Sequence, residues 1–138
     1  MTGIYQHTID AKGRLSIPAR LREELGDTFY VTFSMEKCLS AYSLESWERF
    51  EEKTKEMPRI DQRRVRSIFA HASKCDLDSQ GRALLSQRLR DFAGLDRNVA
   101  VVGVGECVEI WDAEEWAAID EIETTPDYIA QVYRELGV

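Results

Sequence analysis

Displacing the sequence against itself by 68 positions superposes residues 9–26 on residues 77–94, and seven of the eighteen positions are identical. They are Asp10/Asp78, Gly13/Gly81, Arg14/Arg82, Arg20/Arg88, Leu21/Leu89, Arg22/Arg90 and Gly26/Gly94, where ordinary composition gives about one chance match. With a further shift of one residue the correspondence continues downstream, setting Cys38 on Cys107, Tyr42 on Trp111, Glu45 on Glu114 and Trp47 on Trp116. The chain is a tandem duplication, so each half is expected to carry the same elements, and 138 residues is the length of a single domain with one core.

Each half reads as a strand, a tight turn, a short strand, a short helix, a two-stranded hairpin and an amphipathic helix. Residues 10–13 and 78–81 are the turns, because an aspartate accepts hydrogen bonds from backbone two residues on and a glycine tolerates positive φ. Pro18 suits the first position of a helix and Gly26 the residue just past its end. The β-branched and aromatic runs 28–33 and 39–42, repeated at 98–104 and 108–111, read as hairpins. Residues 112–115 form a capping box that opens a helix with Trp116 and Ile119 inward, and Ser43 starts its counterpart, which carries Leu44, Trp47 and Phe50. Residues 1–58 thus form the first unit and 74–123 the second. Val65, Ile68, Phe69 and Ala72 recur at helical spacing and predict a linking helix over 59–73, with Arg63, Arg64 and Arg66 on its outer face. Residues 124–138 carry Ile129, Val132, Tyr133 and Leu136 as the apolar stripe of a last helix. The expected fold class is α+β.

Net charge is −7 over 138 residues, which taken alone counts against a nucleic-acid partner. The distribution reverses that inference. Residues 59–90 hold eight basic and three acidic side chains and residues 1–26 four and three, whereas residues 91–138 hold two and twelve. Salt screens exposed charges beyond about 8–10 Å, so a basic face can attract an anion while an acidic end lies elsewhere. Lys12, Arg14, Arg20 and Arg22 in one half, with Arg82, Arg88 and Arg90 in the other, cluster around the repeated turns. If the halves pack about a pseudo-twofold axis, these residues share a face suited to the phosphates of duplex DNA. Arginine also donates both arms of its fork to guanine O6 and N7. Asp10, Gly13, Asp78 and Gly81 read as the residues that shape the turns.

Other chemistries are poorly served. Asp10 and Asp78 each lie beside an arginine, which keeps a carboxylate ionised rather than raising its pKa for acid–base work, so no enzymatic activity is expected. His71 and Cys75 supply two ligands where a structural metal site needs four. Three cysteines, odd in number and far apart, argue against a disulfide framework. Trp47, Trp111 and Trp116 fall at apolar positions and read as core. No uncharged run approaches the ~20 residues of a membrane helix, and no apolar leader precedes Asp10. The expectation is a cytoplasmic protein without cofactor, metal, membrane partner or small-molecule substrate.

Residues 10–18 and 78–82 resemble the paired D-x-x-x-R motifs of the MraZ family of bacterial transcriptional regulators, and residues 63–75 and 92–95 are similar to its central segment. Each half also resembles an AbrB-type (SpoVT-AbrB) DNA-binding module. The resemblance implies two tandem pseudo-twofold-related units forming an intramolecular swapped-hairpin β-barrel flanked by helices. It further implies a nucleoid-associated regulator, a repressor, that binds direct repeats upstream of the division and cell-wall gene cluster as a ring homo-oligomer. Arg14 and Arg82 take the motif arginine, Asp10 and Asp78 the motif aspartate, and Arg22 the first arginine of an AbrB-type Leu-Arg-Arg. Glu23 and Asp91 stand where the second arginine would be. Gln80 replaces the base present as Lys12, which implies a looser grip on phosphate by the second turn. The alternative is an antitoxin-like protein-interaction module that holds a partner through its acidic C-terminal segment.

Overall fold

The computed structural model describes residues 1–138. In chain order its elements are β1 (Thr2–Thr8), β2 (Arg14–Ser16), α1 (Ala19–Leu25), β3 (Thr28–Phe33), β4 (Leu39–Ser43), α2 (Leu44–Lys55), α3 (Arg59–Gln62), a 3-10 turn (Arg63–Val65), α4 (Arg66–Ala70), β5 (Ser73–Asp76), β6 (Arg82–Leu84), α5 (Gln87–Ala93), β7 (Asn98–Val104), β8 (Val108–Asp112), α6 (Ala113–Glu123) and α7 (Pro126–Leu136). The architecture is α+β with antiparallel strand pairing throughout. Side chains open the long helices: Ser43 Oγ accepts from the Ser46 N–H at 3.1 Å and Asp112 Oδ2 from the Glu115 N–H at 3.2 Å. The two short helices start differently. Ser86 Oγ caps Leu89 N–H at 3.2 Å, whereas Pro18, at the position just before α1, provides a preset φ of −54° and no side-chain cap.

Six strands form one sheet in the order β1-β7-β8-β4-β3-β5, and β2 pairs only with β6 in a separate ribbon. The halves interleave: the first strand of each lies against the third strand of the other, β1 on β7 and β5 on β3. Their fourth strands meet with Ser40 opposite Glu109, and their second strands with Leu15 opposite Ala83. These two central pairs are themselves repeat equivalents, so the pairing is unchanged when the halves are exchanged.

Successive residues of a strand face opposite sides of the sheet, and each side has its own core. On one side Phe29, Val31, Val99, Val101, Val108 and Ile110 join Leu15, Leu21, Leu85 and Leu89 in a single cluster of 19 buried residues drawn from both halves. On the other, Cys38, Ala100, Val102 and Trp111 pack with Trp116 and Ile119 of α6. There too α2 lays Trp47 on Tyr30, with ring centroids 4.6 Å apart, and Phe50 and Phe69 complete the aromatic group. The sheet therefore holds the helices α2 and α6 on one side and the β2–β6 ribbon, with α1 and α5, on the other.

Three expectations are corrected. The sheet is open rather than a closed barrel. The tight turns after β1 and β5 carry the chain out of the sheet, and the ribbon's strands are not hydrogen-bonded into it, with one isolated β-bridge, Ile9–Leu15, at the exit from β1. The segment between the halves is three short helical pieces, not one helix. Val65 (φ −93°, ψ 0°) interrupts it, and the Ile68 carbonyl accepts the Thr32 hydroxyl of β3 at 2.6 Å. Leu44, placed on the apolar face of α2, is 48% exposed because it occupies the first position after the Ser43 cap. No helix is long and apolar enough to cross a membrane.

Candidate nucleic-acid interface

The repeated turns have the same construction. Asp10 Oδ1 accepts the N–H groups of Lys12 (3.0 Å) and Arg14 (2.9 Å), while its Oδ2 accepts Arg14 Nε at 2.7 Å. Asp78 does the same for Gln80 N–H, Arg82 N–H and Arg82 Nε, all at 2.9 Å. Gly13 and Gly81 close the turns at φ +87° and +74°, a region that costs an L side chain strain. One carboxylate thus shapes the loop with one oxygen and aims an arginine with the other.

Hydrogen bonds donated to a carboxylate favour its ionised form. The Arg14 N–H, the Arg14 guanidinium and the Lys12 N–H hold the Asp10 carboxyl down to about 2, and the equivalent groups of Arg82 and Gln80 lower Asp78. A carboxyl depressed when folded stabilises the fold at pH above its ordinary value near 3.8 and loses that contribution as pH falls toward 2. We expect carbon-detected NMR titration to place the Asp10 midpoint near 2, and a midpoint near 4 would contradict the anchored turn.

The ribbon sets the two turns side by side although 68 residues separate them in sequence. Arg14 pairs opposite Leu84 and Ser16 opposite Arg82. Ile17 N–H donates to Gly81 O at 3.0 Å and Leu85 N–H to Gly13 O at 2.9 Å, so each turn is tied to the other half. Arg82 Nη1 lies 3.7 Å from Asp10 Oδ2, an ionic contact across the pair. With Leu15 and Ala83 buried beneath, Arg14, Ser16, Arg82 and Leu84 form the outward face of the ribbon. The Arg14 and Arg82 side chains are 32% and 24% exposed, with the Nε of each engaged by aspartate.

The other basic residues are distributed differently. Lys12 is exposed within the first turn, where the second has exposed Gln80. Arg20 and Arg88 do not gather at the turns. Arg20 lies in a surface hollow with Thr2, Gly3 and Tyr5 from the start of β1, and Arg88 sits 5.4 Å over the ring of Phe33 at the end of β3. Arg22 and Arg90, by contrast, turn inward and contact the turns. Residues two apart on a helix cannot share a face, so Arg20 and Arg22 diverge from one helix, as do Arg88 and Arg90. Sequence reasoning passed over Ser16 and Leu84, and 60% exposure is unusual for a leucine within a strand. Their signal was the two-residue alternation around buried Leu15 and Ala83.

Of the groups that could serve other chemistry, Cys75 and Cys38 are enclosed, whereas His71 is exposed. Cys75 is buried, with Sγ 3.8 Å from Leu84 O, and burial pushes its thiol up to about 11. Cys38 is buried under α6 and pushed up to about 12. His71 packs with its ring 5.4 Å from that of Phe33.

Fold and site together define a duplicated α+β protein that presents two aspartate-anchored arginines on one β-ribbon. The chain matches the family described as "MraZ protein, putative antitoxin-like" over residues 1–66 and 68–131. Proteins named Transcriptional regulator MraZ are similar along most of its length. That of Alkaliphilus metalliredigens is 42% identical over 99% of this chain and 98% of its own, and that of Heliobacterium modesticaldum 46% identical over 91% and 90%. The protein of that name in Carboxydothermus hydrogenoformans is 50% identical over 83% of this chain and 82% of its own. The chain belongs to the MraZ family.

Proposed function

We propose that this chain is a non-enzymatic, sequence-specific DNA-binding transcriptional regulator whose β2–β6 ribbon enters the major groove. The observation that carries this reading is the union of two Asp-x-x-Gly-Arg turns on one ribbon, with Arg82 Nη1 only 3.7 Å from the Asp10 carboxylate. A two-stranded ribbon fits a groove about 12 Å wide, and an arginine held by its Nε leaves the Nη donors for guanine edges or phosphates. Lys12, Arg14 and Arg82 make direct contacts in this reading. Arg20 and Arg88, further out on the helices, add to the field around the site. Three relatives of similar length that bear the name of transcriptional regulator support it. The interleaved strand pairing supports the AbrB-like, swapped-hairpin view of the two halves.

Resemblance to the family supports the finer terms: a repressor, cytoplasmic and associated with the nucleoid, acting on direct repeats upstream of the division and cell-wall gene cluster. Self-association into a ring is supported by α7, which leaves Tyr128, Ile129, Tyr133 and Leu136 exposed on the single chain. Several subunits on successive repeats would then gain affinity through effective concentration rather than through a large single interface.

A gel-shift assay with the DNA upstream of the chain's own gene tests this reading. Affinity is expected to fall with salt at a slope of about −0.9 per neutralised phosphate in log–log form. A flat salt response would reject duplex DNA. The family description favours one other reading, an antitoxin-like module that captures a protein through the acidic C-terminal segment. Deleting residues 127–138 would abolish capture and leave single-repeat DNA affinity intact on that view, whereas on ours it disturbs assembly and binding to the full repeat array.

A further inference from the structure

Arg22 on α1 and Arg90 on α5 are repeat equivalents, and each reaches across to the turn of the other half. A β-carbon on Gly13 would lie 2.9 Å from Arg90 Cζ and Nη2, and one on Gly81 would lie 2.5 Å from Arg22 Nη1 and 3.0 Å from its Cζ. Each turn glycine is therefore required twice, for its positive φ and for the guanidinium plane lying against it. Arg90 Nε also donates to Leu85 O at 3.1 Å, and the Leu85 N–H donates to Gly13 O, so helix α5 is joined to the first turn through one residue. Arg22 Nε has no such partner and is buried. A guanidinium free to move would rotate that donor into water, so packing against Gly81 holds it in place.

We propose that Arg22 and Arg90 are positioning residues, each bracing the arginine-bearing turn of the opposite half so that the two turns meet DNA as one rigid unit. The proposal rests on the DNA-binding reading and refines it: these two side chains act through Arg82 and Arg14 rather than as phosphate ligands of their own. The braces differ in strength. Both pack against a turn, but Arg90, on the turn bearing Lys12, is itself fixed by its hydrogen bond to Leu85 O, while Arg22, on the turn bearing Gln80, has no such anchor at its Nε.

The test uses the full chain with Arg22→Ala, Arg22→Lys, Arg90→Ala and Arg90→Lys. Amide hydrogen exchange on the free protein is expected to quicken at Gly81 and Arg82 in the Arg22 variants and at Gly13 and Arg14 in the Arg90 variants, the crossed pattern being the signature. Lysine keeps the charge but lacks the planar fork, so it is expected not to restore protection. With a repeat-bearing duplex, affinity is expected to drop about tenfold in all four variants with the salt slope unchanged. The proposal is overturned if lysine restores affinity while alanine lowers the slope by about 0.9, the mark of one lost phosphate contact. Faster exchange in the turn of the same half, or in neither turn, overturns it equally. If an alanine variant does not fold, the lysine variants carry both measurements. A wild-type chain that bound no duplex would remove the DNA reading, and the crossed exchange pattern would still decide the brace.

Discussion

Arg14→Ala is expected to weaken binding to a repeat-bearing duplex by about 5–150-fold, the loss of roughly 1–3 kcal/mol that accompanies removal of a forked arginine contact. Arg134→Ala, on α7 and bonded to Gln131 at 2.9 Å, is expected to change it by less than about twofold, as surface charges far from an interface do. Equal affinity of the two variants would contradict the assignment of the turns. Asp10→Asn separates two roles of the carboxylate. If it only offset the arginine charge, its removal would strengthen attraction to DNA. Because it fixes Arg14 Nε at 2.7 Å and two backbone amides besides, we expect weaker binding instead, from a guanidinium no longer held in position. Competition binding at fixed salt reads the sign directly.

Phe29→Ala is expected to destabilise the whole chain by about 3–5 kcal/mol, the range for emptying a fully buried aromatic site. For a chain of 138 residues this corresponds to a fall in Tm on the order of 10–17 °C. Phe29 has no exposed surface and stands where β3 is paired on both sides, opposite Ser43 of β4 and Cys75 of β5. Its loss therefore loosens a strand of each half. Since β1 depends on β7 and β5 on β3, neither half keeps its sheet when the other unfolds. Calorimetry is expected to show one transition with equal calorimetric and van't Hoff enthalpies in both wild type and variant. Two resolved transitions would mean that the halves are independent.

The turns and hairpins were legible because local chemistry decides them. An aspartate three residues before a glycine specifies its own loop, and the β-branched runs at 28–33 and 98–104 became β3 and β7 with those limits. What the sequence left open depends on partners distant in the chain. Whether the sheet closes is decided by where β2 and β6 pair, and three residues pairing only with each other leave β1 and β5 as edges. The linking segment has helical spacing, yet the Thr32 hydroxyl on a remote strand takes the Ile68 carbonyl. At the site, the repeat points to the arginines around the two turns but cannot sort them by position. Helical periodicity already separates Arg20 from Arg22, whereas the crossing of Arg22 to Gly81 and of Arg90 to Gly13 exists only once the halves have interleaved.

Strand exchange between two separate chains would make folding concentration-dependent and oblige both turns to carry the same residues. Here a covalent tether replaces that encounter, so assembly of the paired turns is unimolecular and survives dilution. It also releases them from identity: Lys12 can stand where its counterpart is Gln80, a difference that no dimer of identical subunits could express. On the DNA-binding reading proposed above, such a surface has a left and a right, and would distinguish one orientation of an asymmetric DNA element from its reverse.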